Sequence, residues 1–144
     1  MHPSFIKVQC VAVGAVLVVV SALVAVATSG AQGQEGGVEV PVRVEKLANA
    51  RGQTLTVVTV NYAPGGTPGA HHHAGSVFAY VLSGAIRSEN SATGPVRVYK
   101  AGESFFEPPG SRHLVSENAS ATEPASMLVV FVADDGAQLT TFDK

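Results

Sequence analysis

The 144-residue chain has no tryptophan, one cysteine (Cys10), 6% aromatic residues and only 14% charged residues. A single cysteine cannot close an intramolecular disulfide, so any folded part must hold together by burial. Nine Lys and Arg stand against eleven Asp and Glu, for a net charge of −2, and no stretch clusters the basic residues. A nucleic-acid binder needs a basic face to displace counterions from phosphates, and this chain has none. Few charges beside 46% apolar residues equally exclude a disordered, highly charged polymer. Beyond the N-terminal segment no window of eleven residues holds a 3.6-residue apolar period, so amphipathic helices are not expected. There is no Gly-x-Ser-x-Gly elbow either, which argues against nucleophilic hydrolysis.

The sequence does have one long apolar run. Val8 to Ala27 contains no charge, follows Lys7 and leads into Thr28-Ser29-Gly30-Ala31. This pattern predicts a secretory signal over residues 1–31, with Ser29 and Ala31 at the small-residue cleavage positions and Gln32 as the new N-terminus. The alternative is an uncleaved anchor, since about 20 apolar residues span a bilayer core. Both place the rest of the chain outside the cytoplasm, secreted or periplasmic, with membrane contact only through residues 8–27. Cys10 leaves with a cleaved signal. The remainder is long enough to bury a core without staples, which small domains need chiefly below about 70 residues. Residues 32–37 (QGQEGG) read as a flexible leader, and 38–144 as one domain.

That domain reads as strands throughout. Val38, Val40, Val42 and Val44 alternate with polar residues and Pro41, the period of a half-buried strand, with the proline pointing to an edge. Gln53 to Ala63 is rich in β-branched residues between two Gly-containing turns. Runs at 77–82, 85–88, 96–100, 104–107 and 126–133 follow, with shorter candidates at 114–115 and 139–142. Many short strands between Gly, Pro and Asn clusters predict an all-β sandwich, jelly roll or barrel.

Histidines are concentrated. Apart from His2, the chain has only His71, His72, His73 and His113. On a strand, residues two apart share a face, so His71 and His73 converge while His72 points away. Imidazoles on one face suit Zn, Fe, Cu or Ni, and His113 is the candidate third ligand. The bland alternative is a solvated His-rich loop beside an unrelated histidine.

The flanking residues carry a resemblance. Gly65, five residues, His71, one residue and His73, then Tyr80-Val81-Leu82-Ser83-Gly84, resembles the first motif of the cupin superfamily. Gly102, five residues, Pro108, one residue, Gly110, two residues and His113 resembles the second. The chain is similar over about Val57 to Ala133 to small single-domain type-2 cupins. The resemblance implies a double-stranded β-helix, or jelly-roll barrel, holding a divalent transition metal (Fe, Zn, Mn, Ni or Cu) on His71, His73 and His113. It also implies a small-molecule ligand or substrate and a homodimer.

One feature departs from the pattern. The Glu that usually follows the second histidine after three or four intervening residues is absent, and Val77 and Phe78 stand there instead. Glu107 is the candidate replacement: facing inward, it could reach the metal or act as a base, and facing outward it would be a strand-end residue in solvent. Tyr80 reads as a barrel packing residue, and Arg112 as a surface residue or an anchor for an anionic substrate. Two functions remain open: a metal-dependent enzyme, oxygenase- or isomerase-like, or a non-catalytic barrel that binds a metal or small ligand.

Overall fold

The computed structural model describes residues 36–144; the apolar run, the cleavage positions and most of the 32–37 leader lie outside that range. Ten strands follow one another with no helix between them: β1 Val38–Lys46, β2 Gln53–Tyr62, β3 His71–His73, β4 Ser76–Ser83, β5 Ala85–Asn90, β6 Gly94–Lys100, β7 Ser104–Glu107, β8 Arg112–Asn118, β9 Ala125–Asp134 and β10 Thr140–Phe142. They form two five-stranded sheets, β1-β2-β9-β4-β7 and β10-β3-β8-β5-β6. Every pairing is antiparallel.

The first sheet supplies the apolar wall. On the second half of β2, on β4 up to Val81 and along β9 every second residue is buried, giving Val58 and Val60, Val77 and Ala79, and Val129 and Phe131. Fully burying one Val or Phe side chain stabilises the fold by roughly 1.5–3 kcal/mol. The second sheet turns an unusual face inward. Ile86 is apolar, but Ser88, Asn90, His71, His73, His113 and Ser116 are buried polar residues. A sheet needed only for stability would bury valines there, because each buried polar group must find a partner. Every buried side-chain nitrogen and oxygen among the described residues does have one.

Turn glycines shape the route. Gly84 has φ +68°, and a Cβ there would meet the Pro124 carbonyl oxygen at 2.7 Å, so conformation and space both demand glycine. At Gly110 nothing crowds the missing Cβ, and only the φ of +73° requires glycine.

Several expectations need correcting. The β1 strand is exposed along its whole length rather than half-buried, with Val38, Val40, Val42 and Val44 at 46–62% exposure. It lies at the sheet edge with only β2 beside it, and a bulge between Pro41 and Arg43 breaks its alternation. Tyr80 points outward with Phe78 and Phe106, whereas Tyr62 is buried and Tyr99 packs partly buried against the core. The short candidate at 114–115 is the middle of the seven-residue β8, whose polar ends hid its length. Of two adjacent phenylalanines, Phe105 is buried and Phe106 exposed, as a strand requires.

Candidate metal centre

Pairing brings the histidines together. β3 is the neighbour of β8, and His71 stands directly opposite His113 in their register. His73, two residues along β3, falls on the same inner face. All three are buried, while His72 points out to Asp143. The donor nitrogens of His71, His73 and His113 lie within 4.8 Å of one another. Aromatic rings flank them: Phe142 stands 5.2 Å from His71, and Phe131 5.2 Å from His73.

Each imidazole has one nitrogen committed to the wall. His71 Nδ1 donates to the Gly69 carbonyl at 2.8 Å, and His73 Nδ1 donates to the Leu139 carbonyl at 3.1 Å. These bonds leave the two Nε2 lone pairs for the interior, the tautomer a metal ligand needs. His113 is turned the other way, with Nε2 2.8 Å from Ser88 Oγ and Nδ1 3.1 Å from Glu107 Oε1. A hydroxyl gives or takes a hydrogen bond, so Ser88 serves both tautomers of His113. When it accepts from Nε2–H, Nδ1 faces inward as a bare lone pair.

Glu107 is inside. It is 3% exposed, so the solvent-facing strand-end alternative does not hold. The reason is register: on the four-residue β7 it shares the inward parity of Phe105 and stands directly opposite Val77 on β4. The carboxylate absent from position 77 is thus supplied by the neighbouring strand, one step across the sheet. Its Oε2 accepts from Asn90 Nδ2 at 3.1 Å and lies 3.9 Å from His73 Nε2. Asn90 is itself held, donating also to Ser111 Oγ while its oxygen accepts from the Ala92 amide.

Burial sets the protonation of the group. It pushes the His71 imidazole down to about 4, only partly offset by the Gly69 carbonyl, and pushes His73 down as well. Burial raises the Glu107 carboxyl, but the hydrogen bond and charge of His113 outweigh it and hold the group below the usual carboxylate range. Around neutral pH His71 and His73 are therefore neutral imidazoles beside one carboxylate.

Nitrogen donors with one hard oxygen suit a divalent transition metal. Two metal–nitrogen bonds of about 2.1 Å reach at most about 4.2 Å, so the 4.8 Å spread closes with a shift of roughly half an ångström. The residues fit such an ion.

A family model, described as a cupin domain, matches residues 58–131, just over half of the chain, and spans both histidine segments. The chain is a cupin. Among solved structures, this cupin is similar to the DMSP lyase DddQ from Ruegeria pomeroyi DSS-3, with TM-score 0.60 and 19% identity over 78% of this chain and 54% of that one. A recombinant oxalate oxidase in complex with glycolate gives TM-score 0.60 and 26% identity over 77% and 57%. An uncharacterized conserved protein with a double-stranded β-helix domain from Klebsiella pneumoniae gives TM-score 0.56 and 24% identity over 76% and 86%. The cupin spans about half the length of the DMSP lyases it matches. A comparison with curated protein sequences finds no match.

Not every sequence candidate belongs to the centre. Arg112 is exposed and pairs with Asp143 through Nη2 at 2.8 Å, away from the cavity. Sequence reasoning missed Tyr62, Ser88, Asn90 and Ser116. Their signal was faint: Ser88 and Asn90 occupy the inward parity of Ile86, where an apolar residue is due on a core strand.

Proposed function

We propose that this cupin is an exported metal-dependent enzyme, oxygenase- or isomerase-like, acting on a small molecule. The metal would be held by His71, His73 and His113, with Glu107 beside it. One observation carries the reading: Glu107 and all three histidines line the same cavity, of about 40 Å³. A divalent ion there supplies a Lewis acid with coordination positions left for substrate.

The chain's own groups do the rest. Gly69, Leu139 and Ser88 hold the three imidazoles in orientation. Glu107, fixed by Asn90 and next to the cavity, can hold a proton on Oε1 or Oε2 for a bound substrate. Phe131 and Phe142 exclude water from two sides of the histidine group. The oxalate oxidase and DMSP lyase likenesses support a small-molecule substrate. Export rests on the apolar run of residues 8–27. A homodimer is supported by Phe78, Tyr80 and Phe106, which put apolar surface on the outer face of the first sheet.

Elemental analysis of the purified protein after dialysis tests the metal reading. One transition metal per chain is expected, lost in His71→Ala, His73→Ala and His113→Ala and kept in His72→Ala. Loss in His72→Ala with retention in the other three would contradict it. A metal-loaded protein inactive across small acids, with Glu107→Gln binding ligands as the parent does, would leave the non-catalytic barrel instead.

A further inference from the structure

The cavity beside the histidines has a second polar point. Tyr62 Oη and Ser116 Oγ lie 2.9 Å apart, come from β2 and β8 of opposite sheets, and both line that cavity. Both residues are buried, at 3% and 2% exposure. Neither hydroxyl has another partner among the described residues. Proton counting then leaves a remainder. Two hydroxyls carry two protons, and their mutual hydrogen bond uses one. Every oxygen is partnered, yet one O–H has no acceptor from the protein. Burial pushes the Tyr62 hydroxyl up to about 12, so the pair keeps both protons at neutral pH. A buried donor without an acceptor is costly, and a bound ligand oxygen relieves it.

Charge and size narrow the ligand. The residues lining the cavity include no Lys or Arg, and their one acidic side chain is Glu107. A divalent ion and one carboxylate leave a single positive charge in a poorly solvated space. A monoanion neutralises it, whereas a dianion leaves an uncompensated negative charge. The 40 Å³ volume holds about three water-sized positions. Val60, Met127 and Val129 give it an apolar side.

We propose that the Tyr62–Ser116 hydroxyl pair is the point that recognises substrate oxygen, and that the ligand class is a small monocarboxylate with a short apolar body. This rests on the metal reading above.

The test is calorimetric titration of the Zn²⁺-loaded full chain with acetate, acetamide and oxalate, in the parent and in Tyr62→Phe, Ser116→Ala and the double variant. Metal content is measured in each. Either single variant leaves one hydroxyl able to donate, so acetate binding should weaken moderately. The double variant removes the donor and should bind acetate about 10- to 100-fold more weakly while keeping its zinc. In the parent, acetate should bind more tightly than either acetamide or oxalate. A double variant that binds acetate like the parent, or a parent that prefers oxalate, overturns this proposal and leaves the metal reading standing. A parent that takes up no zinc overturns both.

Discussion

Exchanging Val77 and Glu107 tests the idea that the carboxylate has moved one strand. The two residues are direct partners across β4 and β7, at 1% and 3% exposure, so both side chains face inward. Partners of this kind hold their Cβ atoms about 4.5–5.5 Å apart. Val77→Glu alone therefore places a second carboxylate beside the first. Two unit charges about 5 Å apart repel by about 3 kcal/mol at an effective dielectric constant of about 20. Lost burial of the valine adds roughly 1.5–3 kcal/mol. Glu107→Val alone strips an acceptor from Asn90 Nδ2 and His113 Nδ1, at about 1–3 kcal/mol for each donor left unpaired. The double exchange keeps one carboxylate and one valine in the row, so the repulsion vanishes. A double-mutant cycle on urea unfolding of the metal-free proteins should show a favourable coupling of about 3 kcal/mol. With zinc added, Val77→Glu should regain most of its loss, and the exchanged protein should retain metal against a chelator better than Glu107→Val does. Additive single effects, or equal metal loss in the exchanged protein and Glu107→Val, would show that the carboxylate has not moved from position 77 to position 107. Phe78→Glu is the control for metal retention: its site is 43% exposed on the outer face, and it should leave retention unchanged.

Other outcomes follow from the same geometry. The metal-free protein should lose stability as pH falls from 6.5 towards 4: His71 titrates near 4 when folded and near 6.5 when unfolded, so the unfolded chain takes its proton first. That residue contributes about 3 kcal/mol to the loss, with His73 and Glu107 acting in the same direction; chemical unfolding curves at pH 7 and 4.5 with equal midpoints would exclude it. Phe105→Ala should cost about 3–5 kcal/mol, because its ring packs 4.9 Å from Tyr99 and 5.8 Å from His113. Phe106→Ala should instead leave the unfolding of the isolated chain within about 0.5 kcal/mol and shift light-scattering mass from dimer to monomer. Gly75→Ala should destabilise by about 1–3 kcal/mol and loosen metal retention, since the new methyl would sit 2.0 Å from the Val132 carbonyl oxygen, between His73 and Val77; an unchanged urea midpoint would contradict the close approach.

Much of this was legible in the residues themselves. β-Branched residues between Gly-containing turns marked β2, an apolar run between turn clusters marked β9, and the i, i+2 spacing of His71 and His73 put both on one face. The chain breaks at Ala74-Gly75 and passes from one sheet to the other, yet the inward parity runs on through Gly75 to Val77. Less legible was what depends on a neighbour. Glu107 could be assigned a parity only through its pairing with Val77, and sequence holds no register between β4 and β7. The edge position of β1 erased the burial that its valines advertised, because alternation marks a strand and not what covers it. Tyr62 and Ser116 are 54 residues apart and meet only when the two sheets close.

The most direct test of the central claim is an anomalous difference map from crystals of the zinc-loaded protein, measured above and below the zinc edge. One strong peak per chain is expected within bonding distance of His71 Nε2, His73 Nε2 and His113 Nδ1, with a Glu107 oxygen next to it. A peak at His72 and Asp143 with none among the three buried histidines would contradict it.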